Sequence, residues 1–421
     1  MRGENATYSS TPSPNRWGQP TDVFSVLLIL GGDIVNKALA QLAGGTITPV
    51  SFSFGWVSYA LSALLASVSN AKLMPSALEV SSIVITTKNG YSRPNNSWVL
   101  SRILRDYESW MDIAVRLKLN SIMDDRHNYL KSHTKPGTPV PRPQKSGLCI
   151  AVYEPSRRSR AGEPRHDLVY WSGFPIILSQ IAVAIVPLLS ASRDWSVMVI
   201  TVVGTILSFL VGALSQWQRE KWFCRRNAMN TYALTRGNGS QHALIILGNG
   251  HGLDLEDLAA GIETLETAAA GWKTKTFLFI MGWSWILLLI AAAGLSQPSW
   301  YLLAVGGIGM MHNLFVAGWP RHPSAMGIHL KFRTVIGHMS TMEALLALEA
   351  QYTHAGRSLL PIYFPGRIFP EEEAQWEALR LKAEHEESVQ RQNIQAGRAR
   401  PSMLPLESWI LHAKSYEGKR K

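Results

Sequence analysis

Two charged side chains and a histidine interrupt stretches of the sequence that are otherwise apolar. Asp33 and Lys37 are four residues apart, so on a helix they share a face and can neutralise each other. His312 and Asn313 lie two-thirds of the way along a later apolar stretch, and Gln180 lies within another. Ionisable groups are costly to place in lipid, so these residues are candidates for a substrate or proton site. The alternative is a structural ion pair and a histidine hydrogen-bonded to a neighbouring helix.

Glycines form a second pattern with possible chemistry. A strand-like run at residues 242–247 is followed by Gly248, Gly250 and Gly252 and then by an acidic helix start. A phosphate-binding loop requires this context, but Leu253 occupies the third glycine position of the dinucleotide pattern. The acids would repel a phosphate and instead complement the helix dipole. The sequence therefore favours a structural turn over a ligand loop. It identifies no cofactor, and no zinc-ligand spacing predicts a metal site.

Six stretches have about the 20 apolar residues that a helix needs to cross a bilayer. They run from about residue 23 to 43, 52 to 68, 169 to 189, 195 to 214, 276 to 295 and 300 to 317. The first contains Asp33 and Lys37 and could instead be re-entrant.

Basic residues predict the orientation of these stretches. The chain has a net charge of +11 with 41 Lys and Arg residues, nearly all outside the apolar stretches and away from the short loops within each pair. Because Lys and Arg stay on the cytosolic side, both termini are expected there. The charge then favours the anionic cytosolic leaflet, rather than nucleic acid, as a partner. Endomembrane and plasma membrane remain equally open.

We predict a mainly α polytopic membrane protein with about six transmembrane helices in three hairpins. A small cytosolic α/β portion is built from the loops between the hairpins. The expected divisions are a disordered N-terminus (1–21), hairpins at 22–68, 169–214 and 276–319, cytosolic loop regions at 69–168 and 215–275, and a cytosolic helical tail (320–421).

The cytosolic segments contain readable elements. β-branched or apolar runs predict strands at 80–87, 148–153 and 242–247, and an amphipathic pattern predicts one helix over residues 99–115. The basic stretch at 155–166 is expected to be flexible and lipid-facing. In the tail, a capping box of Ser340 and Glu343 predicts a helix that stops at Gly356, and Pro370 opens a charged helix that ends near Gly397.

Small residues line one side of the fourth apolar stretch. Gly204, Ser208 and Gly212 recur every four residues, the spacing of a helix-packing ridge. This ridge could pack within one bundle or join copies in a homo-oligomer.

Three long stretches, at residues 31–65, 216–227 and 233–261, resemble a family of filamentous-fungal multi-pass membrane proteins of unknown activity. Some members of that family are encoded near specialised-metabolite genes. The resemblance covers most of residues 22–320 and implies a topology and a fungal source, without established catalytic or binding residues.

Three functional hypotheses follow. The first is an accessory or scaffolding protein of a specialised-metabolite pathway, which would bind pathway enzymes. The second is a membrane-embedded enzyme for an apolar substrate such as a prenylated intermediate, with Asp33, Lys37 and His312 meeting in one cavity. The third is a transporter of a small metabolite, which would require discontinuous helices and a polar path.

Overall fold

The computed structural model describes residues 21–69, 72–76, 80–135, 139–190, 193–261, 271–294 and 299–395. The chain divides into two compact units. The helical unit takes Met1–Leu73, Asp167–Gln216 and Ala269–Trp319, and the α/β unit takes Met74–His166, Trp217–Ala268 and Pro320–Lys421. The N-terminal segment predicted to be disordered, except Thr21, and the chain after Gln395 lie outside the described residues.

Helices and strands alternate along the chain in blocks. In chain order the helices are α1 (Thr21–Leu42), α2 (Gly55–Val68), α3 (Trp98–Arg105), α4 (Tyr107–Trp110), α5 (Ile113–Ser132), α6 (Leu168–Leu189), α7 (Ser196–Gly212), α8 (Ser215–Lys221), α9 (Leu255–Ala260), α10 (Trp272–Ala293), α11 (Ser299–Gly318), α12 (Thr341–Gln351), α13 (Ala355–Tyr363) and α14 (Pro370–Gln395). The strands are β1 (Ile83–Thr86), β2 (Tyr91–Pro94), β3 (Leu148–Pro155), β4 (Arg226–Ala228), β5 (Tyr232–Thr235), β6 (His242–Ile246), β7 (Gly252–Leu253) and β8 (Leu330–His338).

Among the described residues, three helices are long and apolar enough to cross a membrane: α6, α10 and the Trp300–Gly318 part of α11. The pair α7 and α8 passes the same test together, with a 42° bend at the break between them, and would give a fourth span. At 1.5 Å per residue, 22 residues extend about 33 Å, which matches a bilayer core. This supports a polytopic membrane fold. It shows fewer spans than the six predicted from the sequence, since α1 is not among these helices and α2 is a shorter apolar helix.

Residues 43–54, between α1 and α2, form what we call the inserted segment. Its glycines, threonines and Pro49 disfavour a continuous helix. From Thr48 to Phe54 every residue is nevertheless buried inside the helical unit. Non-helical backbone buried among membrane helices must find hydrogen-bond partners within the protein, because lipid offers none.

The α/β unit is built on a six-stranded mixed sheet with the order β2-β1-β5-β6-β3-β8. The neighbouring strands β3 and β6 are parallel, and every other pair in this sheet is antiparallel. Alternate side chains point to opposite faces of a strand. Ile150 and Ile245 therefore pack on one face against Leu345 of α12 and Leu359 of α13. On the other face, Gly337 of β8 lies under Ile122 of α5.

The three predicted strands are confirmed as β1, β3 and β6. The sequence missed β2, β5 and β8, so half of the main sheet was unexpected. Strand β8 follows the last span almost directly and is an edge strand whose residues are mostly half-exposed or exposed. Such a strand lacks the continuous apolar run that marks a buried one.

The single helix predicted over residues 99–115 is wrong, because the chain forms α3, α4 and α5 there. Asp106 ends α3, and the Trp110 indole N–H donates to the carbonyl of Ile103 at 3.0 Å, which satisfies a carbonyl near the helix end. The Asp112 carboxylate then accepts from Ala114 N at 2.9 Å and caps α5.

The tail helices begin where the sequence predicts, but one of them ends elsewhere. The Ser340 hydroxyl accepts from Glu343 N at 3.4 Å and opens α12. That helix stops at Gln351, and Gly356 lies inside the next helix, where a Cβ would overlap the carbonyl of Leu345. Pro370 opens α14 as predicted.

Candidate functional sites in the two units

Two amide side chains hold the inserted segment inside the helical unit. Asn313 on α11 donates to the carbonyl of Ser51 at 3.0 Å and to the Ser53 hydroxyl at 3.2 Å. Gln180 on α6 donates to the carbonyls of Phe52 at 2.7 Å and Val305 at 2.8 Å. Both amides are fully buried. These contacts supply donors to carbonyls that helix or sheet pairing would otherwise satisfy.

His312 bridges the inserted segment and α6. Its Nδ1 lies 2.7 Å from the Ser51 hydroxyl, and its Nε2 lies 3.0 Å from the Ser172 hydroxyl. The Ser172 hydroxyl is also 2.8 Å from the carbonyl of Val169, which can only accept. One proton arrangement uses all three contacts: Ser51 donates to Nδ1, Nε2–H donates to Ser172, and Ser172 donates to Val169. A neutral histidine in this tautomer joins two elements and does not act as a base towards Ser172.

Glycines allow helices α7 and α11 to touch the inserted segment directly. At Gly309, a Cβ would overlap the carbonyl of Phe52, and at Gly204 it would lie 2.5 Å from the Phe52 ring. At Gly212, it would lie 2.7 Å from Thr48, whose hydroxyl donates to the Gly212 carbonyl at 2.9 Å. The predicted ridge of Gly204, Ser208 and Gly212 is thus buried against this chain's own segment, while the homo-oligomer stays an untested prediction.

Asp33 and Lys37 form the ion pair that their spacing predicts, with Nζ and Oδ2 2.9 Å apart. Their side chains are 69% and 36% exposed respectively. Within the described residues, no hydrogen bond or ion pair joins them to His312, whose ring is occupied by Ser51 and Ser172. The structure therefore brings together His312, Asn313 and Gln180, and leaves the ion pair as a separate feature.

In the α/β unit, the glycine turn is fastened to the end of β3. The Asn249 side chain donates to the carbonyl of Pro155 at 2.8 Å, and its Oδ1 accepts from His251 N at 3.1 Å. A Cβ at Gly248 would overlap the backbone of Met229, and Gly250 has a φ of 74°, which favours glycine. Gly252 approaches Pro155 so closely that a Cβ would lie 2.7 Å from its ring. Close approach and backbone conformation account for these glycines without a nucleotide.

The acids after the turn have partners of their own. Asp254 caps α9 by accepting from Glu256 N and Asp257 N, both at 3.1 Å. Arg225 contacts Asp254 at 3.1 Å and Asp257 at 2.6 Å. Burial raises the pKa of Asp257, but the hydrogen bonds and charge of Arg225 outweigh it and hold that pKa below the usual range.

A shallow pocket lies at the carboxyl ends of the parallel strands β3 and β6. Its empty volume is about 320 Å³, including space open to solvent. Ligands of open α/β sheets commonly bind beyond the carboxyl ends of parallel strands. Three segments line it, at the end of β3, after β6 and at the start of β8; they include Ser156, Ser159, His251, Gly252 and His329. We call it the strand-edge pocket.

Residues 156–166, between β3 and α6, form a strap along one side of this pocket. The flexibility predicted for this basic stretch stays a prediction, but three of its backbone N–H groups have hydrogen-bond partners in residues 324–329. Ser156 N donates to the carbonyl of His329 at 2.9 Å, and Gly162 N to that of Gly327 at 2.8 Å. Arg165 N donates to the carbonyl of Ser324 at 2.9 Å. The sequence predicted its charge but not the segment that holds it.

Buried polar groups on the α3–α5 face of the sheet were not singled out from the sequence. The hydroxyls of Tyr107 and Tyr153 are 3.4 Å apart, and the His242 ring packs 5.1 Å from the Tyr107 ring. Burial raises the pKa of the neighbouring Cys149 thiol to about 12. This thiol stays protonated at neutral pH and is a poor nucleophile. Alternation along the strand could have placed Cys149 and Tyr153 on one face, but not their partners.

The described residues contain no group of three or more His, Cys, Asp or Glu side chains that could hold a metal ion. No protein-family model matches the chain, and no curated protein or solved structure matches it either. Its function therefore has to be inferred from its own residues.

Proposed function

We propose that this chain is a six-span membrane protein that holds its α/β unit at the cytosolic surface as a scaffold for partner proteins. The observation that carries the proposal is the composition of the main sheet. Strand β3 comes before α6, β6 comes after α8, and β8 comes after α11, yet β3 pairs with both of the others. One rigid surface is thus assembled from chain segments that helical hairpins separate.

The same sheet supports the count of spans. Strands in one sheet lie on one side of a membrane, so an even number of crossings must separate them. If α6 crosses, the bent pair α7 and α8 must return, and α10 and α11 must form a second hairpin. Helices α1 and α2, joined by the inserted segment, would supply the remaining two crossings. Insertion of an epitope tag after Ser190 or Gly294 should expose it outside, whereas one after Gly239 should be reached only after permeabilisation.

A scaffold needs an accessible surface for partners, and α14 offers one. Its 26 residues extend about 39 Å. Trp376 is buried and donates to the Met342 sulfur at 3.4 Å, which anchors the helix to α12. Leu381 and Val389 are 55% and 41% exposed. These two apolar side chains on a charged helix are the contacts that we propose for a partner protein.

Proximity labelling tests the scaffold directly. A biotin ligase fused to the C-terminus should label a reproducible set of proteins, and the family resemblance makes enzymes of a specialised-metabolite pathway the first class to examine. The paired change Leu381→Asp and Val389→Asp should remove that set. Ile113→Asp with Leu117→Asp is the control, because those apolar side chains are even more exposed, on α5. If the labelled set equals that of an unrelated protein in the same membrane, the scaffold proposal is wrong.

The contact between Ser172 and His312 favours one second candidate, a membrane-embedded enzyme. In the opposite tautomer, Ser172 would donate to Nε2, and its oxygen could attack an apolar ester while His312 takes the proton. That arrangement abandons the hydrogen bond to Val169, so we rank it second. The inserted segment is a break between helices, as the transporter hypothesis requires. However, the polar groups Thr48, Ser51 and Ser53 of that segment are hydrogen-bonded within the bundle and do not line a polar path.

A further inference from the structure

We infer that the strand-edge pocket and its strap bind a phosphate-bearing headgroup at the membrane surface. This inference deepens the proposed function, because it relies on α6 as a membrane span. Three independent features point to it: the charge of the strap, the fixed backbone that presents this charge beside a pocket, and the position of the strap in the chain.

The strap carries four arginines, Arg157, Arg158, Arg160 and Arg165, against one glutamate. All four arginines are exposed. The glutamate, Glu163, lies 3.7 Å from Arg160, and both side chains are largely exposed, so this pair neutralises little of the charge. Arginine binds phosphate oxygens through two parallel N–H donors. A fifth arginine, Arg226, lies against the strap at Gly162.

The pocket beside the strap is lined by histidine and hydroxyl groups together with apolar side chains, and the arginines of the strap are not among its lining residues. Ser156, Ser159, His251 and His329 line it. His329 Nε2 lies 2.9 Å from the carbonyl of Glu163, which can only accept, so Nε2 carries a proton and fixes the ring. This contact also ties the strap to the start of β8. The pocket is therefore a preformed surface with several hydrogen-bonding side chains.

Three of the four nearby acids are paired with a basic side chain, and the fourth is hydrogen-bonded to a hydroxyl. Asp254 and Asp257 bind Arg225. Glu154, at the end of β3, forms an ion pair with Arg333. Glu256 accepts a hydrogen bond from the Thr86 hydroxyl at 2.5 Å. From the sequence we expected these acids to repel a phosphate. With these partners, the repulsion of a ligand bound on the strap side is weaker than that expectation.

The position of the strap in the chain indicates how close to the membrane a ligand would bind. His166 ends the strap, Asp167 caps α6, and the apolar helix begins at Leu168. If α6 crosses the bilayer, its polar end lies at the level of the lipid phosphates; Arg165 is three residues before Leu168, and Arg157, Arg158 and Arg160 are eight to eleven residues before it. A shallow pocket that opens to solvent suits a headgroup that stays attached to its lipid.

The test uses the full chain in phosphatidylcholine nanodiscs. One arm adds a phosphatidylinositol phosphate or, separately, phosphatidylserine, and counts retained lipids by native mass spectrometry. The other arm measures binding of soluble inositol trisphosphate and of inorganic phosphate. We expect selective retention of the phosphoinositide, and displacement of that lipid by inositol trisphosphate.

Two variants separate a pocket from general surface charge. Arg157→Gln, Arg158→Gln and Arg160→Gln together should weaken phosphoinositide binding about a hundredfold, since each basic residue near an anionic surface contributes about fivefold. Ser159→Phe keeps the charge but fills the pocket and should also reduce binding at least tenfold. The control replaces the exposed Arg116, Arg126 and Arg142 by Gln and should bind as the unmodified chain does.

The outcomes are distinct. If the strap variant binds normally, or if Ser159→Phe has no effect, the pocket is not the binding site and the inference is overturned. If phosphatidylserine is retained as well as the phosphoinositide, the charge alone acts and the inference is equally overturned. If the soluble phosphates bind in neutral nanodiscs but the lipid does not, the pocket stands as a phosphate site while its proposed position at the membrane fails. Partner labelling is independent of all three results.

Discussion

The polar centre of the helical unit and the strand-edge pocket of the α/β unit contain similar residues, including serines and histidines, but they use them differently. Around the inserted segment, His312, Asn313 and Gln180 are buried, and they hydrogen-bond to this chain's own backbone and hydroxyls. At the pocket, Ser159 and the arginines of the strap are exposed, and the strap is held by backbone hydrogen bonds and by the contact of His329 Nε2 with the carbonyl of Glu163.

This difference shows what a polar residue in a membrane helix signifies. Because a polar side chain is energetically unfavourable in lipid, its presence in a membrane helix indicates a role, and that role can be structural. Here the helical unit uses its polar side chains to bury a non-helical segment. The exposed arginines of the strap, by contrast, lie in the α/β unit. The predictions that follow test each side of this comparison.

The largest effect is expected at Gly309. In Gly309→Ala the new methyl group would overlap the carbonyl of Phe52, and helix α11 would have to move away from the inserted segment. We expect destabilisation of about 3 kcal/mol or more, seen as loss of monodisperse protein in detergent. Gly307→Ala is the control, since nothing lies within 4 Å of its Cβ position on the same helix. Equal yields of both variants would show that the segment is not packed as described.

A smaller effect is expected when an amide is removed. Asn313→Leu removes the amide that donates to the Ser51 carbonyl and to the Ser53 hydroxyl. The Ser51 carbonyl keeps the Trp56 indole N–H as a donor, at 2.9 Å. The Asn313 Oδ1 is itself buried without a partner, so its loss offsets part of the cost. The expected destabilisation is about 1–2 kcal/mol, measured by thermal unfolding in detergent. An unchanged midpoint would contradict a structural role for Asn313.

Ser172→Ala separates a structural bridge from an enzyme. The variant loses one hydrogen bond to His312, so we expect about 1 kcal/mol of destabilisation and an unchanged metabolite profile in the producing organism. Ser179→Ala is the control for the loss of a hydroxyl, because Ser179 lies further along the same helix α6. Disappearance of a metabolite in Ser172→Ala alone would favour the enzyme candidate. The polar centre of the helical unit would then be a catalytic site and not only a structural one.

The smallest effect concerns Arg225, which is exposed. Because Arg225 keeps the pKa of Asp257 below its unfolded value, the pair stabilises α9 above that unfolded value, near pH 4. This stabilisation is lost as the pH falls through the lower folded pKa. Arg225→Gln should therefore speed hydrogen exchange in α9 at pH 7, and the difference from the unmodified chain should vanish in strong acid. A difference that persists there would mean that the pair does not act through the Asp257 charge.

Local signals predicted much of the fold. Strand runs at β1, β3 and β6, the caps at Ser340 and Pro370, and the i,i+4 pair of Asp33 and Lys37 all depend on neighbours in the sequence, and all were found. The division of the helix over residues 99–115 was missed because Asp106 carries no strong breaking signal. The indole that satisfies the end of α3 comes from Trp110, seven residues away.

Long-range contacts could not be predicted. The partners of the inserted segment are remote in sequence: Gln180 is 128 residues from Phe52, and Asn313 is 262 residues from Ser51. Residues 43–54 look like a short turn between two apolar helices, and nothing in their composition says that their carbonyls meet amides inside the bundle. The strap was recognised by its charge, but the residues just before β8 that hold it, Ser324, Gly327 and His329, were not.

The pairing of β3 with both β6 and β8 has a consequence for biosynthesis. When β3 leaves the ribosome, the partner for one edge still lies beyond one helical hairpin, and the partner for the other lies beyond two. The sheet cannot close until translation has passed residue 338, by which time every hairpin has been made. Strand β3, whose residues are all buried in the finished fold, has two open edges until β6 is made and one open edge until β8 is made, and open edges of this kind are prone to aggregation or to capture by a chaperone. Chains that stall before β8 should therefore be degraded, even though all their membrane helices are complete.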